Sequence, residues 1–408
     1  MSVKVFVINA GSSSVKSCVY ELEKDQQNRT TLNPIWQAQA NLQSSSSELK
    51  IKPYKGEPQS ISFANESVDS AYVQLYTTLN THPGSPINSP DEIHAVGHRI
   101  VHGGENYFEP TLLTEEVMRN LEGLIDLAPS HLPSNLKGIR TAMDHFPQSK
   151  QIGVFDTGFH STMPDEAIIY PVPWEWYQDK LIRRYGFHGI SHSYCMRRAS
   201  QLLEKEADQL RIINCHLGSG GSLCAIKHGE SIMNTMGFTP LEGLVMGTRC
   251  GSIDPGIILH MLNKEGHTAQ NLERELNKES GLKGISGISG DMREIAKAAE
   301  QKNRRASLAI EIYVRSVSSA IAAMLPLLGG LDVLSFAGGI GENSASIRLA
   351  VVERLKFLGI EVDSERNSAN AGDRKISTAK SSVETLVIHT NEELEIASEC
   401  LRFFGNEN

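Results

Sequence analysis

The sequence predicts an α/β protein made of two similarly built halves, and three observations carry that prediction. Apolar, β-branched runs alternate with stretches of helical periodicity along most of the chain. A strand that ends in a Gly/Ser tip and returns as a second strand occurs twice, in "VFVINAGSSSVKSCVY" from Val5 and from "RIINCHLG" onward, roughly two hundred residues apart. A third apolar strand, in "LDVLSFAGGIGEN", ends at glycines and leads into a helix. At 408 residues the chain is long enough for two domains of ordinary size.

Taken in order, Val3 to Ile8 is a strand because its residues are apolar and β-branched. Residues 22 to 90 are polar and turn-rich, which predicts small strands and loops with one helix around Val68 to Leu79. "TEEVMRNLEGLIDLA" reads as a helix with a mixed face. "IGVFDTGFH" is a buried strand that breaks into a loop at Asp156. Arg211 to Leu217 and Leu223 to Lys227 are strands on either side of the second tip. The apolar run Ala320 to Gly341 approaches the length of a bilayer span. Pro326, Gly329, Gly330 and Asp332 interrupt it, so it reads as a buried helix ending at the glycines and then a buried strand. Ile347, Val351, Leu355 and Leu358 recur at helical spacing. "HTNEELEIASECLRFF" begins a last helix, where Thr390 and Glu393 fit a capping box and leave Glu392 without a structural duty.

The composition is that of a globular chain, 40% apolar and 21% charged. A net charge of −9 argues against nucleic acid or an anionic membrane as a partner, so any bound anion must be captured by local geometry. The six cysteines (Cys18, Cys195, Cys215, Cys224, Cys250, Cys400) contain no C-x-x-C pair. The N-terminal apolar run is too short for a signal peptide, and reduced thiols in the cytoplasm are expected.

The Gly/Ser tips suit anion binding. Glycine lets backbone N–H groups approach an anion, and serine adds neutral donors without bulk. As plain hairpin turns they would need no function. The pattern G-x-x-x-x-G-K-S/T is absent, and G-x-G-x-x-G from Gly339 fails at Ser344. Ser13 to Lys16 is an S-x-x-K, the motif of acyl-serine enzymes, but strands flank it where a helix belongs, and Ser377 to Lys380 matches equally well. His94, His98 and His102 stand four apart, as do His188 and His192, a weak metal signal that depends on a helix. Arg99 lies beside Gly103-Gly104, and Arg249 sits in a turn-rich, apolar stretch where an anionic partner is expected. Asp291 and Arg293 fall near a helix start, where an acidic residue complements the dipole. Cations, amide tips and carboxylates together suit phosphoryl transfer.

In "VINAGSSSVK", "GHRIVHGGE", "FDTGFH", "RRYGFHGISH", "CHLGSGGS", "TPLEGLVMGTRCGSIDPG", "GGIGEN" and "TNEEL" the chain resembles the acetate kinase family, over nearly its whole length and in the family's order. The resemblance implies duplicated actin-like ATPase (ribonuclease H-like) domains facing across a cleft, of the actin, chaperone and sugar-kinase type. The expected boundaries are 1–155, with a C-terminal helix 391–408 packing on that domain, and 156–390, which carries the nucleotide. It implies reversible, in-line phosphorylation of acetate by ATP with Mg²⁺, or Mn²⁺ in its place, in a cytoplasmic homodimer.

Residue by residue, Ser12, Ser14 and Lys16 would form one phosphate loop, and His216, Gly218, Ser219 and Gly220 the other. Asp291, Met292, Arg293, Gly339, Ile340, Glu342 and Asn343 would surround the nucleotide. Asn9 and Glu392 would serve Mg²⁺, and Asp156 would position the metal or the attacking carboxylate. Arg99 and Arg249 would clamp carboxylate and phosphoryl group, with His188 as a donor in the transition state. Val101, His131, Phe187 and Pro240 would shape the acyl pocket. The chain departs from the family at Ser219, where Asn is usual, at Cys250 and Ser252 in place of "SGD" residues, and at Ser130, where an aliphatic residue is usual. The alternatives are a propionate or other short-chain carboxylate kinase, an actin- or chaperone-like ATPase that binds partners, and an alcohol kinase with Asp156 as base.

Overall fold

The computed structural model describes residues 2–10, 14–23, 32–41, 46–53, 55–64, 68–129 and 131–405. The chain forms two compact units, one of Met1–Phe159, Gly189–Tyr194 and Asn391–Asn408, the other of His160–His188 and Cys195–Thr390.

The first unit is built on a sheet of β1 (Ser2–Ala10), β2 (Ser14–Glu23), β3 (Trp36–Asn41), β4 (Ser46–Lys52), β5 (Gln59–Ala64), β6 (Ala95–Ile100), β7 (Thr111–Leu112) and β8 (Lys150–Phe155). Its order is β5-β4-β3-β2-β1-β6-β8-β7, with β1, β6 and β8 parallel and the other pairs antiparallel. Phe6, Ile8, Val15 and Val19 alternate onto one face, where Tyr72, Leu75 and Tyr76 of the helix Val68–Thr81 and Ala142 of the helix Leu132–His145 cover them. The helix Glu392–Gly405 packs on β1, β2, β6 and β8.

The second unit has β9 (Arg211–Leu217), β10 (Gly221–Lys227), β11 (Glu230–Asn234), β12 (Val333–Ala337), β13 (Arg374–Lys375) and β14 (Glu384–Val387), in the order β11-β10-β9-β12-β14-β13. Strands β9, β12 and β14 are parallel; the flanking pairs are antiparallel. This is the arrangement of β3-β2-β1-β6-β8-β7 in the first unit, so the faint likeness of the two openings reflects a repeated topology.

The helix Arg304–Leu328 is long and apolar enough to cross a membrane by length and composition. Its Ala309, Tyr313, Val317, Ile321, Met324 and Leu328, at three- and four-residue steps, are buried in the second core. Gly329 ends it in a left-handed conformation, and the buried β12 follows, as the interrupted apolar run implied.

Two local expectations are corrected. The helix read through "TEEVMRNLEGLIDLA" stops at Glu122, before Gly123, and only a 3₁₀ turn, Ile125–Leu127, follows. "GGIGEN", which the family resemblance implies as an adenosine loop, is a short helix, Gly338–Asn343. Gly338 has φ +74°, which a side chain would resist, and this lets the chain turn straight from β12 into that helix.

Candidate active site

In the first unit the parallel strands end side by side, and their C-terminal ends carry the polar groups. β1 ends at Asn9 and Ala10, β6 through Arg99, and β8 delivers Asp156 just after Phe155. Ligands of open α/β sheets bind at this edge. Arg99 donates from Nη2 to Asp156 Oδ2 at 3.0 Å and from Nη1 to the Ala10 carbonyl at 3.3 Å. Burial works against its charge, but the carboxylates of Asp156, Glu392 and Glu393 outweigh this and raise its pKa.

Asn9 Nδ2 donates to Glu392 Oε2 and Glu393 Oε1, at 3.0 Å each. Lys16, opposite Asn9 in the ladder, stands 3.9 Å from Glu393 Oε1. Ser14 opens β2, while Ser12 and Ser130 lie outside the described residues. The last helix begins one residue later than the capping box places it: Asn391 is the cap, its Oδ1 accepting from Leu394 N at 3.0 Å. Glu393 therefore joins Glu392 in facing Asn9. Val101 is held through its N–H by Asn135 Oδ1 at 3.1 Å, and His131 caps the same helix one turn earlier. One helix start thus anchors both.

The histidine spacing does not make a metal site. His98 lies on a strand, where residues four apart do not share a helix face. His94 Nδ1 accepts from Lys4 N at 3.1 Å, His98 Nε2 is 2.8 Å from Gln151 Oε1, and His102 Nδ1 accepts from Gly104 N at 2.9 Å. His192 is buried on the helix Gly189–Leu203, which His188 only precedes. Among the described residues no three His, Cys, Asp or Glu side chains cluster as a metal cage. The Glu392, Glu393 and Asn9 group suits Mg²⁺ nonetheless. Its donors are hard oxygens, and Mg²⁺ takes one or two carboxylates together with water and substrate phosphate.

In the second unit β9 and β10 join through Gly218–Gly220, where Gly218 N donates to Gly220 O at 2.8 Å. The His188 ring stacks on His216 with centroids 4.2 Å apart, and its Nδ1 is 2.9 Å from Ser222 Oγ. A side chain at Gly220 would touch both the His188 ring and Arg249 Nη1, so the two converge on the hairpin tip. Arg249 Nη1 donates to the Pro240 carbonyl at 3.0 Å. Ser252 ties the Pro240 loop to the Arg249 turn: its Oγ accepts from Gly243 N at 3.1 Å and its N donates to Gly243 O at 3.0 Å.

A cavity of about 860 Å³ adjoins this cluster, lined by Gly218, Ser219, Gly247, Thr248, Gly290, Asp291, Met292, Arg293, Ala296, Gly339, Ile340, Asn343 and Ser344. That volume suits a nucleotide. Asp291 caps the helix Met292–Glu300, and Arg293 pairs back onto it, lowering its pKa. His216 and Gly220 belong to the His188 cluster and are not on the cavity wall. Glu342 is not on the wall either. Its Oε1 accepts from Gly338 N at 3.0 Å and Thr390 N at 3.1 Å, which makes it a backbone clamp.

Three supporting residues escaped the sequence reading. Arg348 is buried and donates to the Gly341 and Glu342 carbonyls at 2.8 Å each and to Asn367 Oδ1 at 2.8 Å, and burial lowers its pKa to about 10. It holds the end of the helix that presents Gly339 and Ile340. The signal was an arginine inside the apolar stripe of Ile347 and Val351. Arg184, the second Arg of "RRYGFH", donates to the Asn234, Thr235 and Met236 carbonyls and to Glu242 at 2.7 Å. Tyr170 also bonds Glu242, and the Pro240 loop is pinned between them.

The Acetokinase family profile matches residues 4–398. An acetate kinase of Trichormus variabilis is 48% identical, with 98% of each chain covered. The crystal structure of Porphyromonas gingivalis acetate kinase gives a TM-score of 0.89 at 38% identity, covering 98% of this chain and 100% of that one. A propionate kinase structure from Francisella tularensis gives 0.88 at 35% identity, covering 97% and 98%. The two-sheet topology is the actin-like ATPase fold of the acetate kinase structures. The chain belongs to the acetokinase family and is a kinase.

Proposed function

We propose that the protein transfers the terminal phosphoryl group of ATP to acetate, reversibly, giving acetyl phosphate and ADP. The observation that carries this reading is the convergence of Arg249 and His188 on a glycine hairpin whose Gly218 and Ser219 line a nucleotide-sized cavity. Acetate is ionised at pH 7, so no general base is required. A carboxylate oxygen attacks the terminal phosphorus in line, the bond to the bridging oxygen breaks, and its electron pair leaves on ADP. Arg99, aimed by Asp156, holds the carboxylate. The Arg249 guanidinium and His188 neutralise charge on the equatorial oxygens, and the Ser219 and Gly220 amides, not used in the hairpin bond of Gly218, face the phosphates. Glu392 and Asn9 would hold Mg²⁺, which would supply neutralisation of phosphate charge. The reading includes a cytoplasmic homodimer. It accords with six free cysteines and with apolar surface at Trp174, Trp176, Ile257 and Leu259.

The test is a hydroxylamine-trapping assay with ATP, Mg²⁺ and acetate, with ADP release followed in parallel. Acetohydroxamate should form, and ADP release without acetate should be far slower. Acetate-independent ADP release would favour a partner-binding ATPase. Release only with a polyol would favour an alcohol kinase. Either result overturns the proposal.

A further inference from the structure

We propose that His160 is a positioning residue that fixes the orientation of His188 through the carbonyl of Phe187. The inference rests on the reading of His188 as a donor to the phosphoryl group. His160 has no part in the chemistry described above.

The backbone around His188 needs external support. Gly186 has φ +75° and His188 has φ +58°, ψ +27°, a left-handed conformation. For a residue with a side chain this costs roughly 1–2 kcal/mol and persists only where neighbours impose it. On one side, Tyr185 N and Gly186 N both donate to the Gly237 carbonyl, at 3.1 and 3.3 Å. On the other, the Phe187 carbonyl takes two side-chain donors, His160 Nε2 at 3.0 Å and Asn234 Nδ2 at 3.1 Å. That carbonyl belongs to the peptide plane containing the His188 nitrogen. Holding it sets the plane from which the His188 side chain departs.

In a neutral ring the Phe187 carbonyl fixes the tautomer of His160. A carbonyl only accepts, so His160 Nε2 carries its hydrogen. Nδ1 is then a lone pair, 2.7 Å from Ser231 Oγ, which must donate to it. Ser231 Oγ also lies 3.2 Å from Cys224 Sγ, whose thiol reaches the Ala225 carbonyl at 3.7 Å. Asn234 Nδ2 lies 3.1 Å from His160 Nε2, but both nitrogens bear hydrogen, so its bond goes to the carbonyl. Thr162 Oγ1 donates to the Ser231 carbonyl at 2.9 Å and holds the serine in place. His160, Ser231, Cys224 and Asn234 are all buried. A buried polar relay confers little net stability that apolar side chains of like shape would not, which leaves its aim at one carbonyl to be explained. The peptide it grips ends at a histidine that reaches Ser222, stacks on His216 and borders Arg249 at the hairpin tip.

The experiment compares His160→Leu, His160→Gln, His188→Ala and the His160→Leu/His188→Ala double variant for kcat, KM for ATP and thermal midpoint. Glutamine places an amide N–H near the site of Nε2; leucine does not. His188→Ala should lower kcat about a hundredfold. His160→Leu should lower it roughly tenfold or more through misplacement, with KM for ATP unchanged. His160→Gln should recover most of that loss. The double variant should be no slower than His188→Ala, within about twofold, because the two act as one unit. Losses that multiply in the double variant, no rescue by glutamine, or full activity in His160→Leu beside a crippled His188→Ala would overturn the proposal. A His188→Ala enzyme with normal kcat would instead overturn the reading of His188. Should His160→Leu not fold, Ser231→Ala carries the same test, with a smaller fall in kcat that vanishes in the His188→Ala background.

Discussion

Replacing Arg99 by leucine removes the guanidinium beside a buried carboxylate. Asp156 is 2% exposed and its Oδ2 lies 3.0 Å from Arg99 Nη2. At that separation and an effective dielectric of about 20, the attraction is about 5 kcal/mol. Removing the arginine also removes its own desolvation cost, so Arg99→Leu should destabilise by about 3–5 kcal/mol net. Asn at 156 needs no countercharge. The Arg99→Leu/Asp156→Asn double variant should therefore recover most of the lost stability. Turnover should not recover, because neither variant restores a cation for the acetate carboxylate. The assay is the urea unfolding midpoint together with hydroxamate formation for wild type, both single variants and the double. Asp156→Asn alone should be the milder single change, since Arg99 still has Glu392 and Glu393 as countercharges. A double variant no more stable than Arg99→Leu would refute the ion-pair argument. A double variant that turns over within tenfold of wild type would refute the carboxylate-holding role of Arg99.

Arg348→Met should lower the thermal midpoint and raise KM for ATP with kcat nearly unchanged, because it frees the helix presenting Gly339 and Ile340 without touching the reacting groups; equal KM values would show that this helix does not contact the nucleotide. Burial lowers His98 and His102 from the ordinary 6.5 to about 4, so the unfolded chain takes up protons that the folded chain refuses. Their contribution is complete above about 6.5 and is lost as pH falls toward about 4. His102→Asn, whose amide oxygen still accepts from Gly104 N, should flatten the fall in unfolding midpoint across that window, and an unchanged slope counts against it.

What could be read from the sequence was whatever depends on local pattern. Alternation and β-branching mark β1, the glycines bound the helix Arg304–Leu328, and Asp156 sits where an apolar strand breaks. What could not be read depends on partners distant in sequence. Six residues containing three glycines, Gly338–Asn343, have poor intrinsic helix propensity. They are helical because Glu342 reaches back to Gly338 N and Arg348 satisfies the carbonyls at the far end. The last helix start was misplaced by one residue because Thr390 and Asn391 are both good caps, and only the hydrogen bond to Leu394 N decides between them. The four-residue histidine spacing suggested ligands only if the segment were helical; Val96, Ile100 and Val101 already favour a strand or tight bend, and pairing with β1 and β8 makes it a strand.

The repeated topology also explains why one hairpin design serves opposite electrostatic ends. In the first unit the cross-strand pair one step back from the tip pair, Ala10 and Val15, is Asn9 and Lys16. In the second, the tip pair is Leu217 and Gly221, and the pair one step back is His216 and Ser222. Cross-strand partners on one face project together, so each pair is a small platform beside its tip. Asn9 and Lys16 are a hydrogen-bond donor and a cation, and they gather the carboxylates of Glu392 and Glu393. His216 and Ser222 are a ring and a hydroxyl, and they seat the imidazole of His188 beside Arg249. Phosphoryl transfer needs carboxylates to hold a divalent cation and neutral or cationic donors for the moving oxygens, and these must not neutralise each other. Under the proposed function, the two residues at this one register position assign the cation-holding carboxylates to the first hairpin and the phosphoryl donors to the second.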